Sequence, residues 1–305
     1  MKSNTEKALI VVDLEGIIGL ELYTSQEHAR ELMRDELLCA IDCIIRWDDR
    51  YRITVCNIHC DGQLLCEADL LPCGETLLKG ITALAACSWD FDFAIMLGFH
   101  GKANSGGMFD HTFRPDFRRI RRAQSEIEMG EVAAFMTWIE SKRIPVILVS
   151  GEGNFEGEIS NPLCVVHKID RYLSKANQLC SLNASLEACL LEEHIVSDVE
   201  DVAKIYVQVD NSDKLPIIES EGFTIDDGLV VFHDLDYFFR NLYRFAGALC
   251  VAYRQVVEKN REFAKAVKAL GIEKEEFPEL SEIFARPLDL INEDDRRVVR
   301  QRLGL

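Results

Sequence analysis

The sequence has no apolar stretch long enough to cross a membrane. Its longest hydrophobic runs, ALIVV at 8–12 and PVILV at 145–149, fall far short of the ~20 residues a spanning helix needs. Basic charge is also scarce: 34 Lys and Arg stand against 52 Asp and Glu, a formal net charge of -18. That is the wrong sign for a protein that grips nucleic acid or an anionic membrane surface. No C-x-x-C pair occurs among the 11 cysteines, which argues against a structural zinc-thiolate site. Their odd number, and the apolar settings of Cys39, Cys43, Cys56, Cys87, Cys180, Cys189 and Cys250, favour buried thiols over a disulfide framework. The opening MKSNTEK lacks the apolar stretch and cleavage site of a signal peptide. There is no internal repeat, low-complexity tract or long linker. Together these absences predict a soluble, cytoplasmic chain with neither nucleic acid nor membrane as partner.

What is present is a core. With 305 residues, 48% of them hydrophobic and 28% charged, the chain exceeds the length of one domain of ~150 residues. The run 8–12 and the stretches 52–58, 94–97 and 145–149 read as strands, with helical periodicity at 25–47, 76–88 and 126–142 between them. The strands are continuous apolar runs, as burial on both faces of a parallel sheet requires. We therefore expect an α/β fold, a mostly parallel sheet flanked by helices in three layers, over residues 1–163. Strand-like stretches at 204–209 and 224–232, the latter broken by Asp226-Asp227-Gly228, with a long helix over 234–270, indicate a smaller α+β domain over 164–258. An aromatic stripe on that helix, Tyr237, Phe238, Leu242, Phe245 and Leu249, reads as core. Residues 259–305 read as a C-terminal helical extension.

The four predicted strands end in DLEG, NIHCDG, GFHG and SGEG, and ligands of open α/β sheets bind beyond strand carboxyl ends. Asp13 and Glu15 lie two apart at the first such end. Converging carboxylates repel and rise in pKa unless something positive lies between them, and a divalent metal meets that need; the alternative is one helix cap and one solvated acid. His59 and His100 end the second and third strands, on the same edge. Glu131, which opens a helical stretch after Gly130, is not picked out by spacing alone. Three carboxylates and two imidazoles suit two divalent cations sharing a bridging carboxylate. Nitrogen and oxygen ligands without thiolate favour zinc, with manganese or cobalt as alternatives.

These residues carry a family resemblance. D-L-E-G-I-I-G at 13–19 resembles the D-M-E-G-I-S-G opening of the DppA-type D-aminopeptidases, zinc metallopeptidases. V-C-N-I-H at 55–59 is similar to their V-N-D-S-H, L-G-F-H at 97–100 to their L-G-Y-H, and Gly130-Glu131 to their G-E at a helix start. The similarity continues through I-P-V-I-L-V-S-G-E at 144–152 and, more weakly, to about residue 258. The resemblance implies Asp13, Glu15, His59, His100 and Glu131 as ligands of two zinc ions, with Asp13 as bridge, and His111 as the catalytic histidine. It further implies release of N-terminal residues, D-amino acids by preference, from short peptides, and a ring-shaped homo-oligomer. Asn57 and Ile58 replace the family's Asp and Ser, and Cys60-Asp61 replaces a polar loop, so Asp61 stays open as an alternative to His59. The basic run 114–122 is either a solvated loop or subunit contact, or a carboxylate-binding patch through Arg118 and Arg119. Three readings compete: a two-zinc aminopeptidase, a metal-dependent amidase or deacylase of a specialised conjugate, and a non-catalytic scaffold.

Overall fold

The computed structural model describes residues 6–70, 76–105, 109, 111–113, 117–122, 128–192, 196, 204–269 and 280–303. Its contacts group into two compact units, Met1–Pro115 with Ile127–Ala203, and Asp116–Glu126 with Lys204–Leu305.

The first unit is built on strands β1 (Lys7–Val12), β2 (Arg52–Asn57), β3 (Thr76–Lys79) and β4 (Phe93–His100). Helices α1 (Gln26–Trp47) and α2 (Gly80–Ala86) lie between them in the chain. After β5 (Phe117–Arg122), which belongs to the second unit, come α3 (Glu131–Ser141), β6 (Val146–Glu152), β7 (Val165–Lys168) and α4 (Lys175–Leu190). The six strands form one sheet in the order β3-β2-β1-β4-β6-β7, and every pairing is parallel. Chain order reverses between β1 and β4, the place where open sheets of this kind form a ligand crevice.

Both faces of the sheet are covered. Ala8, Ile10 and Val12 join Ile53, Val55, Ile95 and Leu97 in one core with α1 and α4, while Leu9 and Val11 point the other way and are equally buried. On that second side α2 packs against β2 and β3, and α3 against β4 and β6. Helix α1 follows from its sequence: Ser25 caps it by accepting from the His28 amide, and Ala29, Leu32, Met33, Leu37, Ala40, Ile41 and Ile44 fall on one stripe. Burying each large member is worth ~1.5–3 kcal/mol.

Two of the six strands escape the sequence reading. β3 was expected to begin a helix over 76–88; instead Gly80, at φ +77, turns the chain from strand into α2. β7 is a four-residue edge strand, too short to show a period.

The second unit holds an antiparallel sheet, β5-β8-β10-β9, from β5, β8 (Ile205–Val209), β9 (Thr224–Asp226) and β10 (Leu229–Phe232), with helices α5 (Leu215–Ser220) and α6 (Leu235–Ala269). Asp227 and Gly228, both at positive φ, make the two-residue turn between β9 and β10 that their sequence announces. Part of the basic run 114–122 is thus a strand and not a loop. Phe117 and Ile120 are buried, Arg119 pairs opposite Gln208 after a register shift, and the Arg121 guanidinium lies 5.6 Å from the Tyr206 ring. The aromatic stripe of α6 is core at Phe238, Leu242, Phe245 and Leu249, but Tyr237 is 37% exposed.

The compact units divide the chain at points other than residues 163 and 258. β7 bonds to β6 and α4 packs on α1, which keeps both with the first unit. Helices α7 (Ser281–Ala285) and α8 (Glu293–Leu303) pack back on α6 around Val267, Leu280 and Val299. The fully buried Arg296 of α8 bonds Asn260 of α6. No described helix is long and apolar enough to span a membrane, and no described cysteine is in a disulfide.

Candidate metal centre

Backbone geometry assembles the centre before any side chain is considered. Beyond β1 the chain continues along β4, with the Asp13 amide donating to the Leu97 carbonyl at 2.9 Å and the Gly16 amide to the Gly98 carbonyl at 2.8 Å. Only glycine fits these crossings. A Cβ on Gly16 would lie 1.7 Å from the Phe99 oxygen, and one on Gly98, itself at φ +70, 2.2 Å from the Asp13 oxygen. The loop is closed from below by Glu36 of α1, whose carboxylate accepts from the Ile18 amide at 2.8 Å and the Ser150 hydroxyl at 3.1 Å. Asp13 and Glu15 are thereby held against the carboxyl ends of β2 and β4.

His59 lies just past β2. Its amide donates to the Asn57 side-chain oxygen at 3.1 Å, and its Nδ1 lies 3.1 Å from Glu15 Oε2 and 3.4 Å from Asp13 Oδ1. His100 ends β4, with Nε2 3.7 Å from Asp13 Oδ2 and 3.5 Å from Glu131 Oε1. Glu131, first residue of α3, also accepts from the Phe113 amide at 2.6 Å. His111 completes the arrangement: its Nε2 lies 3.7 Å from Glu131 Oε1, and its ring stacks on His100 at 4.3 Å. The side chains fall into two groups, Asp13, Glu15 and His59, and His100, His111 and Glu131. Asp13 presents one oxygen to each group.

Two observations test whether metal ions fit here. His100 Nδ1 donates to the Gly101 carbonyl at 2.9 Å and His111 Nδ1 to the Phe109 carbonyl at 2.8 Å, so in both rings Nε2 is the nitrogen left to face a metal, the orientation that a backbone tether gives a metal ligand. The buried His100 Nε2 has no hydrogen-bond partner, and its carboxylate neighbours stand beyond hydrogen-bond range but at the spacing of ligands that share a cation at ~2.0–2.2 Å.

The second observation is electrostatic. Burial and the adjacent Glu15 push the Asp13 carboxyl up to about 7. Burial opposes charge on His59 and His100, yet the surrounding carboxylates prevail and raise them to about 11 and about 10. Glu15, despite its own burial, is drawn down to about 2 by His59 and His100. Without a cation the centre gathers protons to offset three buried carboxylates; divalent ions meet the same demand. The residues present fit the group.

The structure therefore brings Asp13, Glu15, His59, His100, Glu131 and His111 together. Arg118 and Arg119 belong to β5 of the second unit, where Arg119 is exposed; the side chains of Arg118 and Asp61 lie outside the described residues. Glu36 escapes a motif-based reading because no motif contains it. A signal existed, since Glu36 falls in phase with Leu32, Met33, Leu37 and Ala40 on the buried stripe of α1.

Residues 7–206 match the family model described as D-aminopeptidase. The chain belongs to the D-aminopeptidase family. The fold of this D-aminopeptidase family member is similar to that of the solved Zn-dependent D-aminopeptidase DppA from Bacillus subtilis, a self-compartmentalizing protease. The TM-score is 0.68 at 19% identity, covering 80% of this chain and 98% of that one. None of the curated proteins is similar enough in sequence to count as a match. Family and fold together support a peptidase function for this D-aminopeptidase family member.

Proposed function

We propose that the protein is a two-zinc aminopeptidase that releases N-terminal residues, D-amino acids among them, from short peptides. The observation that carries this reading is the position of Asp13, with Oδ1 at 3.4 Å from His59 and Oδ2 at 3.7 Å from His100. Asp13, Glu15 and His59 would hold one ion, and Asp13, His100 and Glu131 the other. Ions so held would supply an activated water, its pKa brought from ~15.7 toward ~7, and would polarise the scissile carbonyl. His111 is the residue left for proton work. Its side chain is 27% exposed where that of His100 is 1%, so substrate can reach it, and its tethered Nδ1 leaves Nε2 to accept or deliver a proton. Protonated, it would stabilise the carbonyl oxygen of the tetrahedral intermediate or supply the departing amine.

That the structural relative is a self-compartmentalizing protease supports a homo-oligomer here, ring-shaped as the family resemblance implies and cytoplasmic as the sequence implies. A metal-dependent amidase or deacylase of a specialised conjugate is the second reading. It is favoured by Asn57 beside His59 and by the fifth of this chain that the relative does not cover. A hydrolysis screen over paired D- and L-aminoacyl amides and dipeptides, with and without chelator, tests both. Chelator-sensitive release of N-terminal residues is expected; cleavage confined to acyl conjugates would favour the second reading, and none at all a scaffold.

A further inference from the structure

Helix α3 begins without a cap of its own. Gly130 stands at the N-cap position and has no side chain to accept the amides of the first turn, which an isolated helix leaves unpaired. Glu158, 28 residues downstream of Gly130 in the segment that follows β6, takes that place. Its Oε2 accepts from the Ala133 amide at 3.4 Å, and its Oε1 accepts from the Lys102 amide at 3.2 Å. Ala133 lies two residues after Glu131, and Lys102 two residues after His100. One carboxylate thus joins the start of the helix that carries Glu131 to the end of the strand that carries His100.

The glycine fits this arrangement. Gly130 has φ −87, a backbone open to any residue, so no conformational demand explains it. A Cβ there would lie 2.1 Å from Glu158 Oε2 and 2.5 Å from Oε1. A serine or aspartate at 130 would cap the helix alone; glycine leaves room for a carboxylate that also reaches β4. Burial raises the pKa of this carboxyl against the amides that hold it.

We propose that Glu158 is a positioning residue, holding His100 and Glu131 in one frame by bonding the backbone beside each. The inference rests on the metal centre described above for its consequence, though not for its geometry. Its effect is confined to one of the two groups, because Asp13, Glu15 and His59 are held by other elements.

Zinc titration against a chromogenic chelator, on the full-length protein, separates the outcomes. Wild type is expected to bind in two steps. Glu158→Ala should weaken one step by about 10- to 100-fold, the usual cost of losing support behind a ligand, and leave the other unchanged. Glu158→Gln, which keeps one acceptor and the shape, should recover part of the loss, and the visible spectrum of the cobalt(II)-substituted protein should change for one ion only. Gly130→Ala should reproduce the defect, and in the Glu158→Ala background the same substitution should add almost nothing.

Two zinc steps in wild type, both unaltered in Glu158→Ala, would overturn the positioning role and leave the proposed function standing. If wild type binds no zinc, the proposed function fails in its metal part, and hydrogen exchange of the metal-free protein decides the inference. Glu158→Ala should then speed exchange at both 99–103 and 130–134; faster exchange at one segment alone, or at neither, overturns it.

Discussion

The imidazole rings of His100 and His111 stack at 4.3 Å between centroids and 12° between planes, each with Nδ1 tied to a main-chain carbonyl and Nε2 directed toward Glu131. Two rings so similar in orientation differ in access, since His100 is buried and His111 is half-buried. Under the proposed function, that difference gives the inner ring to an ion and the outer ring to substrate.

His111→Ala should therefore lower kcat by roughly 10²- to 10⁴-fold, the usual worth of a general acid or base, with zinc content unchanged. Metal analysis beside steady-state kinetics checks this. Loss of one zinc per chain together with activity would make His111 a ligand instead.

In the proposed centre Asp13 serves both groups. Asp13→Ala should abolish tight binding of two ions, whereas Glu15→Ala and Glu131→Ala should each weaken one. Counting zinc per chain after dialysis against a weak chelator reads the difference; an Asp13→Ala protein that keeps both ions would exclude the bridge.

Glu36 sets a pH dependence of stability. Burial raises its carboxyl from 4.5 to about 7, despite the Ile18 and Ser150 hydrogen bonds. The folded state then holds a proton that the unfolded state gives up, so this group's contribution is fully present below about pH 4.5 and is lost as pH rises through about 7. The full loss is about 3 kcal/mol at pH 8. Glu36→Gln should flatten the decline, gaining most relative to wild type at pH 8 and little at pH 4.5. Urea unfolding in chelator, which removes any contribution from bound metal, measures it. Parallel pH profiles for the two proteins would refute the assignment.

Arg296 ties the C-terminal helices to α6. Its guanidinium is buried and bonds Asp213, Asn260 and Glu293, the last at 2.7 Å from Nη2. Arg296→Met should cost ~3–5 kcal/mol by stranding buried partners, whereas Glu293→Ala, at a residue half exposed, should cost much less. Denaturant unfolding monitored by limited proteolysis within 259–303 would show this. Equal losses from the two substitutions would mean that the buried network is not what holds the segment.

Much of the first unit was legible because its physics is local. A strand buried on both faces must be apolar along its buried run, as residues 8–12 of β1, 93–97 of β4 and 146–149 of β6 are. The turn at Asp227-Gly228 announces itself because few residues accept positive φ. β3, β5 and β7 were not legible. Four to six residues with mixed burial carry no reliable period, and in FRRIRR the register shift after Phe117 breaks the alternation that would have marked a strand.

The sequence by itself determined that Asp13, Glu15, His59 and His100 lie at strand ends on one edge of a parallel sheet, since hydrophobic runs specify where strands stop and parallel strands all stop on the same side. It could not determine which ends adjoin. Only the tertiary structure set β1 between β2 and β4, split the two oxygens of Asp13 between two histidines, and brought Glu131 and His111 in from separate segments. Those relations rest on close glycine crossings and on hydrogen bonds between residues far apart in the chain, such as Gly16 against Phe99 and the Ser150 hydroxyl donating to Glu36. A local pattern along one element contains no trace of which partner it will meet.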